Sequence, residues 1–367
     1  MAAERELFDL SAEQEERAER LHEDSIVVDG LVPTDIYVAE PEYRDHLSRG
    51  GVDAVNFTVA TRTDFAGATR KIERFRELVE AHSDRFVIVR TTDDVRRAAA
   101  DGRVGVILGF QDSMPVSPTS RELMGKGTEF LRAFAETGVR IVQLTYNTLN
   151  YVGAGACELD DPGLSYFGRA LVEEMNNRGV LIDLSHCGDR TTMDAIEHSE
   201  KPVAVTHAGV RALAPMYGRN KTDEQIERLA ENGGIIGITL FPPLVKVDPD
   251  TYDTLEATVH DVLDHIDHVV ELVGVDHVGI GTDLNDNALD VGETPETSAL
   301  RHFRPTHPEV YGRGPEEVYD PYPRGLDRHT KLGNLTRGLV ERGYSDDEIE
   351  RILGGNFLRV FEAVWEA

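Results

Sequence analysis

The chain is expected to fold as a (β/α)₈ barrel, and three observations carry that expectation. Eight runs rich in β-branched and other apolar residues are spread over 367 residues, most of them separated by a helical segment. Several runs end on polar residues, as strands do when they deliver side chains to an active face. No internal repeat, linker or low-complexity tract divides the chain, so residues 1–367 are expected to form one barrel domain.

The elements follow in order. Residues 1–23 read as a surface helix, SIVVDGL at 25–31 as the first strand and GVDAVNFTVA at 51–60 as the second. Helical spacing over 66–82 puts Ile72, Phe75, Leu78 and Val79 on one face. A short extra strand, FVIVR at 86–90, leads into a helix over 91–102 that Thr91 or Thr92 caps. GVILGFQ at 105–111 is the third main strand, and a helix over 121–138 closes at Gly138. VRIVQLTYN at 139–147 is the fourth, and the next helix, 165–179, closes at Gly179. Strands five and six, LIDLSH and VAVTH, each stop at a histidine, with one helix's length of chain between them. A helix over 221–234 and IIGITLF at 235–241 make the seventh unit; a helix over 252–273 and HVGIGTDL at 277–284 make the eighth. The Pro- and Gly-containing stretch 285–330 is too long for an ordinary connection and is expected to act as a lid. Residues 333–365 close the chain with helices.

Composition narrows the function. No apolar run approaches the roughly 20 residues needed to span a bilayer, and the polar, acidic start carries no signal region. A soluble, cytoplasmic protein is expected. The net charge of −29 is spread evenly, which argues against nucleic acid or an anionic membrane as partner and suits work in high salt. Two cysteines, Cys157 and Cys187, exclude a disulfide framework and read best as small buried side chains.

In such a barrel the chemistry collects at the carboxyl ends of the strands. Those positions hold Asp29, Leu31, Thr58, Gln111, Tyr146, Asn147, His186, His207, Phe241 and Asp283. A lone histidine is more often structural than ligating, and a buried Gln111 can simply satisfy backbone groups. Two imidazoles on neighbouring strands with Asp283 on the last are a different matter, because zinc accepts imidazole nitrogen and carboxylate oxygen. Iron and manganese share those ligand types.

Over GLSYFGRALVEEMNNRGVLIDLSHCGDRTTMDAI, PVAVTHA, GRNKTDEQI, GGIIGI, VGIGTDL and GGNFLRVFEAV, and more thinly from Ile26 to Trp365, the chain resembles the renal or membrane dipeptidases. These are zinc peptidases with an amidohydrolase-like barrel. The resemblance implies two zinc ions sharing a bridging glutamate, one also bound by a His-x-Asp pair and a last-strand aspartate, the other by two histidines. Carried over, the two histidines are His186 and His207 and the aspartate is Asp283. The His-x-Asp pair falls on Leu31 and Pro33, the bridging glutamate on Gln111, and a substrate-facing histidine on Tyr146. The family's carboxylate-binding arginine persists as Arg219 in GRN.

The resemblance implies a hydrolase of dipeptides or small amides, and the changes at Leu31, Pro33 and Gln111 reduce the expected two zinc ions to one, held by His186 and His207 and completed by Gln111 or water. Asp283 is expected to ligate or to act as base, Tyr146 to stabilise the oxyanion, and Arg219, Tyr146 and Asn147 to contact substrate. Asp35, Asp112, Cys157, Glu158 and Cys187 lie in strand-end loops as spare ligands, although solvated acids and buried thiols describe them as well. A single-metal enzyme with another substrate and a non-catalytic ligand-binding relative stay open. A homodimer is a further expectation from the resemblance alone.

Overall fold

Parallel strands can close on one another only when each crossover returns the chain to the same end, and a helix between strands does this. A computed structural model of the chain describes residues 7–117, 128–286, 306–313 and 322–366. Its strands are β1 Val27–Val32, β2 Val52–Ala60, β3 Phe86–Ile88, β4 Val104–Phe110, β5 Val139–Gln143, β6 Leu181–Asp183, β7 Ala204–Ala208, β8 Ile235–Ile238 and β9 Val278–Ile280. They pair in the order β2-β1-β9-β8-β7-β6-β5-β4-β3, every pair parallel, and β2 also pairs β4. That last pairing closes an eight-stranded barrel, as expected. β3 stays outside the ring. It pairs with the start of β4, Phe86 opposite Val104, where β5 has not yet joined that edge.

Several strands are shorter than the apolar pattern suggests, for a local reason. The Asp183 carboxylate takes the backbone N–H of Ser185 at 3.0 Å, Thr239 Oγ1 takes that of Phe241 at 3.1 Å, and Thr282 Oγ1 takes that of Leu284 at 3.2 Å. Such side-chain bonds two residues onward compete with the sheet ladder and turn the chain. Tyr146, Asn147, His186 and Asp283 therefore stand on loops just beyond β5, β6 and β9.

Helix ends follow their sequence signals. The helix Tyr166–Arg178 has Ser165 as N-cap and Gly179 in the left-handed region at its end, φ 61°. The helix expected over 252–273 starts at Val259, because Thr258 and Asp261 form a capping box. Residues before it bridge instead to Arg313 and Arg324. Of the helix expected over 121–138, Thr128–Thr137 is present and 118–127 lies outside the described residues.

The amino end of the barrel is closed from below. The last helix, Asn356–Trp365, sets Phe357, Phe361 and Val364 against Val28, Ala54, Ile107, Leu181, Ala204 and Ile235. Phe357 fits because Gly30 and Gly279 lack side chains: a Cβ there would meet its ring at 2.6 and 2.9 Å. Polar chemistry is thereby left to the opposite, carboxyl end. Among the described residues no helix is long and apolar enough to cross a membrane. Most of the expected lid, 287–305 and 314–321, lies outside the described residues; its piece 306–313 packs Val310 and Tyr311 on Ala156 and Cys157.

Candidate active site

His186 and His207 meet at the mouth of the barrel. Both are nearly inaccessible, and their Nε2 atoms face each other at 3.0 Å. Their other nitrogens are engaged. His186 Nδ1 lies 2.7 Å from Asn147 Oδ1, and His207 Nδ1 lies 2.8 Å from Thr206 Oγ1. Which of these carries hydrogen follows from Asp183, which accepts from Ser185 N and Oγ and from Thr206 N and Oγ1. With the Thr206 hydroxyl hydrogen given to Asp183, its oxygen accepts from His207 Nδ1–H. Asn147 Oδ1 accepts from His186 Nδ1–H in the same way.

Both imidazoles are thus fixed as Nδ1–H tautomers, with two Nε2 lone pairs pointing at each other. Burial, and after it the positive charge of Arg219, holds both rings well below the usual histidine range, so they are neutral. Two lone pairs 3.0 Å apart repel unless an electrophile lies between them. Two imidazole nitrogens sharing one tetrahedral zinc sit about 3.3 Å apart, and ligating histidines characteristically donate their other N–H to an acceptor. The pair fits one cation.

The positions expected to hold a second ion carry few donors. Leu31 and Pro33 offer no donor atoms on their side chains, and Gln111 offers only a neutral amide. Among the described residues no three His, Cys, Asp or Glu come together as a ligand set. Of the spare ligands two are hydrogen-bonded, two are buried thiols and Asp35 is exposed. Asp112 accepts from Arg62 N and Met114 N, and Glu158 accepts from Leu149 N. Burial pushes the Cys157 and Cys187 thiols up to about 12 and about 11.

Around the histidines the site is aromatic and cationic. Tyr146 stacks on His186 with centroids 4.2 Å apart, and Arg62 places its guanidinium 5.4 Å from the Tyr146 ring centre. Arg219 is 1 % exposed; its Nη1 donates to Ser185 O at 2.5 Å, while its Nε is buried with no partner. Asp283, half-buried, is raised to about 7 by burial, with Arg219 pulling it down and Asp29 pushing it up. Lys221, also buried, bonds only neutral oxygens and is lowered to about 8.

The structure places the sequence-derived residues unevenly. His186, His207, Tyr146 and Arg219 gather as expected. Asn147, expected to contact substrate, is 1 % exposed and spends its side-chain oxygen on His186. That contact orients the His186 ring. Asp29 is likewise structural: it accepts from Thr282 N and Oγ1 at 2.8 and 2.6 Å and pairs with His329 Nε2 at 3.1 Å. Sequence reasoning missed Arg62, Tyr311 and His329. Arg62 stands two residues past β2, so scanning slightly beyond each strand end would have found it; His329 and Tyr311 carry no such local signal.

Comparison with known proteins agrees with this fold. Residues 15–302 and 317–367 match the family model described as membrane dipeptidase (peptidase family M19). Dipeptidase tcpJ of Claviceps purpurea is 30 % identical over 337 residues, 91 % of this chain and 66 % of that protein. Dipeptidase aclJ of Aspergillus oryzae is 29 % identical, covering 79 % of this chain and 59 % of its own length. The chain thus spans no more than about two thirds of these two relatives. An amidohydrolase from Pseudomonas aeruginosa superposes with a TM-score of 0.79 at 33 % identity, covering 95 % of this chain and 99 % of its own. A metallo peptidase from Rhodobacter sphaeroides, solved with a phosphinate mimic of L-Ala-D-Ala, shares the fold at a TM-score of 0.72 and 20 % identity, covering 93 % of this chain and 100 % of its own. A (β/α)₈ barrel matched from its first helix to its last places this chain in the membrane dipeptidase family.

Proposed function

We propose that the protein is a dipeptidase-type metallohydrolase that works with one metal ion, best zinc, held by His186 and His207. The observation that carries this reading is the pair of opposed Nε2 lone pairs at 3.0 Å, each locked by an acceptor on the far side of its ring. When bound, such an ion polarises the scissile carbonyl and makes water a better nucleophile at neutral pH.

The chain's own groups supply the rest. Arg219 has N–H donors beyond the one given to Ser185 O, and they suit the carboxylate of a dipeptide. The Tyr146 phenol, kept protonated because burial and then Asp283 raise it, donates to the developing oxyanion. Asp283 accepts the proton of the attacking water at a carboxylate oxygen. Asn147 keeps His186 in the ligating tautomer and touches no substrate.

Metal analysis of the purified chain, paired with turnover of a dipeptide panel before and after chelation, tests the reading. About one ion per chain and chelator-sensitive cleavage are expected. Two ions per chain, or cleavage that survives complete metal removal, would contradict it. Asp283→Asn is expected to lower kcat by about 10²- to 10⁴-fold, the usual span for a lost general base, with metal content unchanged. Metal lost along with activity would make Asp283 a ligand.

A further inference from the structure

Arg62 has no role in the reaction as described, and its setting is unusual. Its φ is 46°, in the left-handed region that non-glycine residues seldom enter. Among the described residues three of the four such outliers, Arg62, Asn147 and Asp283, stand just past strand ends at the barrel mouth. Asn147 and Asp283 both belong to the active site, and local strain concentrates where surrounding structure imposes it for function. At Arg62 the imposing group is Asp112, 1 % exposed, which takes the Arg62 backbone N–H, the Met114 N–H at 2.9 Å and the Thr61 hydroxyl at 3.3 Å.

That clamp holds the backbone and leaves the side chain unspent. Among the described residues the Arg62 guanidinium makes no hydrogen bond or ion pair; its contact is the face of Tyr146, 5.4 Å to the ring centre. Tyr146 stacks in turn on His186. Arg62 and Arg219 therefore both bear on the Tyr146–His186 stack, each lowering the Tyr146 hydroxyl and the His186 ring electrostatically. Meanwhile Leu31, Pro33 and Gln111 bring no negative charge to the mouth. Two guanidiniums, one buried and one exposed, each with unspent donors, face the mouth, where Asp283 and the clamped Asp112 are the carboxylates that act on the Tyr146 hydroxyl.

Resting on the dipeptidase reading, we infer that Arg62 is a specificity-determining residue that receives a second carboxylate, so that the preferred substrate is a dicarboxylate: a dipeptide with an Asp or Glu side chain besides its terminal carboxylate. Arg219 takes one carboxylate and Arg62 the other, both through planar N–H pairs that match carboxylate geometry. Because Arg62 is exposed, water and salt screen its contribution, which sets the expected discrimination at about tenfold and no more than about a hundredfold.

Two measurements test this and separate its failure from that of the dipeptidase reading. The first is calorimetric binding of succinate and of butyrate, which needs no catalysis. Succinate is expected to bind the wild-type chain about tenfold more tightly, with the ratio collapsing toward one in Arg62→Ala and largely kept in Arg62→Lys. The second is kcat/KM on Ala-Ala, Ala-Asp and Asp-Ala, whose acidic-to-neutral ratio should fall about tenfold in Arg62→Ala. Equal binding of the two acids, or a preference unchanged in Arg62→Ala, overturns the inference even if every dipeptide is cleaved. Arg62-dependent succinate binding without any dipeptide turnover upholds the anion site and overturns the activity. A lowered melting temperature with unaltered preference assigns Arg62 to stability alone and also overturns the inference.

Discussion

Two buried histidine clusters lie at this barrel's mouth, and they are in opposite charge states. His186 and His207 have neutral oxygens behind them, Asn147 and Thr206, and are held neutral with free lone pairs. Near β1, His329 is fully buried between Asp29 at 3.1 Å and Asp286 at 3.2 Å. Burial alone would lower it, but hydrogen bonds donated to these two carboxylates outweigh that and carry it up to about 9. Asp286 correspondingly falls to about 2 despite its own burial, through His329 and then His46, whose Nδ1 lies 2.6 Å away. One cluster has spare acceptors and no charge; the other has paired charges and nothing spare. The first can recruit a cation, and the second is a strut tying β1 to the loop that carries Asp283. Residue type does not distinguish them. The neighbouring carboxylates do.

The comparison can be broken at its reactive side first. His186→Ala should eliminate bound metal and cut turnover on the order of 10³-fold or more, the scale of losing several kcal/mol of transition-state stabilisation, with the melting temperature little changed. Retained metal would show that the lone pairs are not its ligands. The strut should respond the other way. His329→Ala leaves two buried carboxylates without their cation and should cost about 3–5 kcal/mol in denaturant unfolding. A loss below 1 kcal/mol would mean the network is solvated and not a strut.

A smaller effect sharpens the contrast within the neutral half. Asn147→Ala should weaken metal affinity about 10- to 100-fold while leaving the ion's stoichiometry at saturation unaltered, because an orienting partner is lost and no ligand is. Competition against a chelator measures this.

The smallest expected signal is in pH. His329 is raised from 6.5 to about 9, so its contribution to stability is complete below about pH 6.5 and fades as pH rises through about 9. Asp286 is lowered from 3.8 to about 2, so its contribution is complete above about pH 4 and fades as pH falls toward 2. Stability from the strut should therefore plateau between about pH 4 and 6.5. In His329→Ala the decline on the alkaline side should vanish.

Much of this was legible before any coordinates. Alternating apolar runs and helical spacings are local properties, so the eight barrel strands and most helices could be read in order. His186 and His207 were visible because each terminates a strand, and strand ends in such a barrel converge. Their tautomers were not, since these depend on Asp183, Asn147 and Thr206 meeting around them. Asn147 read as a substrate contact because sequence shows only that it adjoins Tyr146; the left-handed backbone at φ 65° is what turns its oxygen onto His186.

By itself, then, the sequence determined the barrel, the absence of ligands at Leu31 and Pro33, and the surviving pair of imidazoles, because periodicity and residue identity suffice for those. Only the tertiary structure decided which histidines are charged and which arginines are unspent. Asp29 and His329 are 300 residues apart in sequence, and Arg62 meets Tyr146 only because β2 and β5 open onto the same mouth. Charge state in a buried site is set by neighbours through space, and proximity of that kind leaves no trace in local pattern.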